Sequence, residues 1–198
     1  MRARLTVTTA LAAIIALSTV GHAAPAPQVK DAKGDALASQ SALDIVSVQY
    51  STTGKRAGRK YTPDTLVVKM TLAAAPKTSG GTYAYNTDAS VTGCGYFQTL
   101  YSPGATLGDG HFFMECGSPA DETGSTATLI PTAAKVAGNT ITWSIKLRTL
   151  PKQIKVGSTW SGFNAYTDIT EPVFGLIGAG LFTGGVDEAS GTKSWKLG

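Results

Sequence analysis

The chain has 198 residues, a formal charge of +4, 15% charged residues and 23 glycines. That length suits one domain able to bury a core, and so even a balance of charge gives no argument for nucleic acid as a partner. With two histidines a histidine-rich metal centre is excluded, and the sequence holds no HExxH, CxxC or GxSxG motif, no phosphate-cradling glycine loop and no dinucleotide fingerprint.

Residues 1–23 have the three parts of a secretory signal. Arg2 and Arg4 form a positive start, Leu5 to Val20 an uncharged apolar run, and Gly21-His22-Ala23 sets small residues at the −3 and −1 positions of a cleavage site. Cleavage after Ala23 removes 23 of 198 residues and leaves 175. It also removes two arginines and no acid, so the charge of +4 falls to +2. A secreted, extracellular monomer is expected, with no later stretch long enough to span a bilayer. Residues 24–41 then read as a lead-in and 42–198 as a single β-sandwich domain.

The lead-in and first strand, VKDAKGDALASQSALDIVSVQY, place Asp31, Asp35 and Asp44 around Gly34. Calcium takes six to eight oxygens, usually from a short, sharply turning loop, so these three aspartates are a candidate metal set. Alternating apolar residues then predict strands bounded by Gly, Pro, Asn and Asp. Leu43 to Tyr50 is the first. GKRAGRKY, Gly54 to Tyr61, reads as a loop crowded with Lys55, Arg56, Arg59 and Lys60, which suits an anionic partner or plain solvation. Thr65 to Ala73 and Thr82 to Thr87 follow.

Cys94 to Tyr101 and His111 to Cys116 flank the turn-rich SPGATLGDG, so a hairpin there sets Cys94 opposite Cys116. In an oxidising compartment an even pair reads as one disulfide, worth about 3 kcal/mol in the chain-entropy model. His111 is the single histidine left after cleavage, and a half-buried or surface position explains it better than a triad. Asp109, Glu115, Asp168 and Glu171 are candidates for paired catalytic carboxylates.

Thr126 to Ile130 is the next strand, then a hairpin from Ala134 to Leu147 turning at Ala137-Gly138-Asn139. In it Trp143 shares a face with Ile141, Ile145 and Leu147, as a core residue does. Ser158 to Thr167 puts Trp160, Asn164, Tyr166 and Asp168 on one face, a candidate ligand platform in which rings stack on a sugar and polar neighbours bind its hydroxyls. Packing of Trp160 into the core is the competing reading. Pro172 to Gly185 is an apolar, glycine-broken inter-strand loop, and Lys193 to Leu197 a last strand with Trp195 in the core. Many short strands and no helical periodicity predict an all-β chain, an antiparallel, jelly-roll-like sandwich.

Asp31, Gly34 and Asp35, followed by Asp44-Ile45, resemble the start of secreted bacterial β-sandwich domains related to family 9 carbohydrate-binding modules and DOMON-type modules. Those often begin DPxGD and reach a D-[IL] strand start after a short gap. LVVKMTLA and TYAYNTD are similar to the strands that follow. Ala32 stands where proline is usual, and Ala36 and Leu37 where further acids are. The likeness covers the N-terminal third. It implies calcium in the aspartate loop, and sugar binding or docking to other domains. The function expected is a non-catalytic sandwich binding carbohydrate or a cell-envelope ligand. An envelope hydrolase with paired carboxylates is one alternative. The other is a partner-binding protein using its edges and the Pro172–Gly185 loop.

Overall fold

The computed structural model describes residues 25–36, 40–78, 82–103, 110–114, 130–170 and 185–198. Among them the chain is all-β, as expected, in two antiparallel sheets around one core. The first sheet holds β1 (Val29–Lys30), β2 (Ile45–Ala57), β3 (Lys60–Leu72), β8 (Ala134–Ala137) and β9 (Thr140–Lys146), in the order β1-β2-β3-β9-β8. The second holds β4 (Thr82–Val91), β5 (Tyr96–Tyr101), β6 (Gly110–Met114), β7 (Ile130–Pro131), β10 (Thr159–Thr170) and β11 (Gly185–Gly191). Its order is β11-β10-β4-β5-β6-β7, and β12 (Trp195–Lys196) pairs with β10. A 3-10 turn, Leu147–Thr149, follows β9. Among the described residues no helix is long and apolar enough to cross a membrane.

Alternation explains the layering. Leu66, Val68, Met70 and Leu72 of β3 are fully buried, and so are Ile141 and Trp143 on β9. Val68 lies opposite Trp143 and Met70 opposite Ile141, so one face of the first sheet is continuously apolar. The second sheet answers with Tyr85, Phe97, Trp160 and Phe163, all buried. The Tyr50 ring crosses the gap, 4.8 Å from Phe163 and 5.9 Å from Trp160, and Phe97 meets Trp160 edge-on at 5.0 Å. Trp143 is core as expected. Trp195 is half-buried, 5.9 Å from the Trp160 ring.

Two polar links run through this core. The Tyr50 hydroxyl donates to Thr87 Oγ1 at 2.8 Å, which shares a 2.8 Å bond with Thr99. Burial pushes the Tyr50 phenol well above its ordinary pKa, so it stays a donor. The Trp143 indole N–H donates to the Leu100 carbonyl at 3.1 Å.

Several boundaries differ from the alternation pattern. The lead-in supplies a strand, β1, whose Val29 pairs with Val48. The basic octapeptide is no loop: β2 and β3 stay paired to Ala57 opposite Lys60, and the turn is Gly58-Arg59 alone. β11, with the sequence GVDEASG, had no apolar alternation to announce it. Cys94 is buried in the turn before β5, and Cys116 lies outside the described residues. So do Asp109, Glu115, Glu171, most of Thr126–Ile130 and most of Pro172–Gly185. His111 stands on β6 between Thr99 and Ile130.

Candidate metal centre and ligand face

Asp31 follows β1 directly, and its N–H continues the ladder to the Val46 carbonyl at 3.0 Å. A turn through Lys33 and Gly34 carries Asp35 back toward it. Asp44, just before β2, holds that turn: its Oδ2 accepts the Gly34 N–H at 2.6 Å. Asp187 arrives from the far end of the sequence, on β11 opposite Thr167. Its Oδ2 accepts the Ile45 N–H at 2.6 Å and its Oδ1 the Glu188 N–H at 3.0 Å. It thereby links the second sheet to the start of β2.

Asp31, Asp35 and Asp187 each bring a carboxylate oxygen within 4.8 Å of the others. Asp31 and Asp35 therefore meet as expected, but the third member is Asp187 in place of Asp44. Asp44 stays beside them with one oxygen committed to Gly34, and its charge bears on both Asp31 and Asp187. Among the described residues none of the four forms an ion pair.

Burial, then the charges of Asp35 and Asp44, hold Asp31 above the ordinary carboxylate range against the pull of the Ala32 N–H. Burial likewise raises Asp187, opposed by the Ile45 N–H and reinforced by Asp31, Asp35 and Asp44. Among the described residues Asp31 Oδ2 and Asp44 Oδ1 are buried with no hydrogen-bond partner, and Asp44 is only 2% exposed. Buried, unpaired carboxylate oxygens are costly unless something positive meets them. An all-oxygen donor set without histidine or cysteine suits a hard divalent cation of the calcium class.

The second region is the outer face of the second sheet. Its shape depends on a bulge in β10, where the pairing with β4 shifts between Ser161 and Asn164. Gly162 sits there at φ 57, a left-handed conformation that costs a residue with a Cβ about 1–2 kcal/mol. The bulge turns both Trp160 and Phe163 inward, each fully buried, while Asn164, Tyr166 and Asp168 stay outside. Strict alternation had put Trp160 with those three. The structure removes it from the platform and gives it to the core.

Neighbouring strands complete the face. Asp88 lies opposite Asn164, Asn86 opposite Tyr166, Gln98 opposite Asp88 and Glu188 opposite Tyr166. Asn164 Nδ2 donates to Asp88 Oδ1 at 2.9 Å, the Tyr96 hydroxyl bonds Asp88, and Gln98 Nε2 donates to the Tyr166 hydroxyl. Burial raises Asp88 against the pull of Tyr96 and Asn164, and burial alone raises Asp168. The Tyr166 phenol is pushed up to about 12 by burial and by the charges of Asp88 and Asp168.

Asn86, Asp88 and Asp168 form a floor only 3–4% exposed, with Asn164, Tyr166, Gln98 and Tyr96 half-buried around it. Among the described residues two floor atoms have no partner: Asn86 Nδ2, a donor, and Asp168 Oδ2, an acceptor. A hydroxyl, which both accepts and donates, is one group that suits such a pair. Of the expected carboxylate pair set, only Asp168 lies within the described residues.

Asp187, Asn86 and Asp88 were missed from sequence. Asn86 and Asp88 alternate with Tyr83 and Tyr85 in TYAYNTD, a polar-out, aromatic-in signal available to inspection. Asp187 had none, because it is 143 positions from Asp44 and reaches it only where the two sheets pack together. Comparison with protein-family models, curated proteins and solved structures gives no match.

Proposed function

We propose that the chain is a secreted, non-catalytic β-sandwich that binds carbohydrate or a cell-envelope polymer, with calcium held by Asp31, Asp35 and Asp187 and assisted by Asp44. The observation that supports it most is the meeting of Asp31, Asp35 and Asp187 from opposite ends of the chain, with Asp44 beside them. Asp31 and Asp44 have buried oxygens without a partner among the described residues. Bound calcium supplies charge neutralisation there and ties the lead-in, the start of β2 and β11 together. The outer face with Asn164, Tyr166 and Asp168 is the ligand side, where the orphaned Asn86 donor and Asp168 acceptor match a sugar hydroxyl. The jelly-roll-like winding, the Cys94–Cys116 disulfide, export after cleavage at Ala23 and a monomeric state belong to the same proposal.

The test is calorimetric titration of the purified chain with calcium, with melting in calcium and in chelator. Saturable binding that Asp187→Asn weakens at least tenfold, together with a raised melting temperature in calcium, supports the reading. No heat and no shift overturns the metal centre. A glycan screen then reads the face: retention lost on Tyr166→Ala supports a sugar platform, and retention indifferent to it overturns that platform.

A further inference from the structure

β2 and β3 run paired to Ala57 opposite Lys60, but β3 leaves β9 at Thr65 opposite Lys146. Beyond that point, among the described residues, the hairpin continues as a two-stranded arm that pairs with no third strand. Residues 53–60 are all exposed, whereas Tyr61 and Pro63 nearer its foot are half-buried, so the tip of the arm buries nothing for the core. Its register is nonetheless closely specified. A side chain at Gly54 would place its Cβ 2.1 Å from the Thr62 carbonyl oxygen, a position only glycine can occupy.

The arm carries Lys55, Arg56, Arg59 and Lys60. Lys55 opposite Thr62 and Lys60 opposite Ala57 share one face, Arg56 lies across from Tyr61 on the other, and Arg59 is in the turn. At its foot is a groove of ≈ 400 Å³ lined by Pro63, Asp64, Lys146, Leu147 and Arg148. Lys146 is engaged there, 3.7 Å from Asp64 and 2.9 Å from Thr65 Oγ1. Among the described residues Lys55, Arg56, Arg59, Lys60 and Arg148 form no ion pair. The four cations of the arm repel one another on an exposed tip, and among the described residues only Lys55 feels a nearby acid, Asp64, so their benefit lies in what they meet.

We propose that the arm and the groove at its foot dock an anionic polysaccharide. This goes beyond the calcium centre and the outer face and depends on neither. Cations on one face of a strand pair stand roughly 7 Å apart. The one such pair here is Lys55 and Lys60, with Arg56 on the other face and Arg59 in the turn. They make a sparse charge set suited to a chain with one charge per sugar, and unlike duplex DNA with a charge per about 1.7 Å of axis. A bilayer fits worse, because interfacial binding buries an apolar face. Val156 is the exposed large hydrophobic among the described residues, and it is not on the arm.

The experiment measures retention of the purified chain on immobilised polygalacturonate across 50–200 mM salt, in chelator so that calcium bridges cannot contribute. We expect log affinity to fall linearly with log salt. The variant Lys55→Gln/Arg56→Gln/Arg59→Gln/Lys60→Gln should lose at least tenfold in affinity and flatten that slope while melting as wild type does. Arg148→Gln should lose about threefold. Equal elution of wild type and the fourfold variant overturns the proposal. So does tighter binding to phosphatidylglycerol vesicles or duplex DNA than to polygalacturonate. Calcium titration and the Tyr166→Ala screen report on the earlier reading separately.

Discussion

Asp187 and Asp168 are both acids of the second sheet, both raised by burial, and their environments give them different tasks. Asp187 accepts two backbone N–H bonds and faces three other aspartates. We expect Asp187→Asn and Asp44→Asn each to weaken calcium binding at least tenfold by calorimetry, because each removes a charge beside oxygens that are already buried. Asp168 has no charge partner and one orphaned oxygen. Its folded pKa lies above its unfolded value, so its contribution to stability is present below the unfolded pKa and is lost as pH rises through the folded one. Asp168→Asn should therefore stabilise the protein at neutral pH, by about 1 kcal/mol, and lose that advantage as pH falls through the carboxylate range. Thermal melts of both proteins from neutral to acidic pH check the sign. Trp160→Ala should behave as a core deletion, costing about 3–5 kcal/mol in urea unfolding. Asp31 and Asp35 were legible because a short turn joins them. Asp187 was not, since neither spacing nor periodicity links residues so far apart.

At the level of elements, β10 shows how one residue redirects a strand. Gly162 allows the shift that sends Trp160 to the core and leaves Asn164, Tyr166 and Asp168 outside. A Cβ there meets only Ser90 Oγ, at 3.6 Å, so Gly162→Ala has room and its cost is backbone strain. We expect a loss of about 1–2 kcal/mol in denaturant unfolding with the fold retained. Period-two counting fails at such a bulge, which is why the expected platform contained one residue too many. The basic hairpin misled in the opposite direction. Exposed strands need no apolar alternation, so β2 and β3 ran on through residues that read as a loop. β11 escaped for a similar reason: GVDEASG becomes a strand by pairing with β10, register by register from Phe163 opposite Gly191.

For the whole molecule, the all-β class was readable from many short alternating segments, whereas the order of strands in each sheet rests on non-local pairing that no local pattern encodes. The two sheets are joined by apolar contact and by a few polar links placed across the gap. Tyr50→Phe removes the bond to Thr87 while Thr87 keeps Thr99, so it should cost about 1–2 kcal/mol in unfolding and leave calcium binding unchanged. Near the aspartate cluster the links are Asp187 to Ile45 and the Thr167 hydroxyl to the Leu43 carbonyl, at 2.7 Å.

That end of the sandwich is where an early stretch of the sequence closes against a late one, and the closing surfaces carry the same charge. On the proposed reading, a bound cation would offset that repulsion and clasp the two stretches together. A cation held only by the folded junction would stabilise it by mass action, about 2.7 kcal/mol at a concentration one hundred times its dissociation constant. Under the proposed function, the medium therefore decides when the chain locks. On that reading, a chain exported after cleavage at Ala23 would fasten this junction on meeting calcium outside the cell.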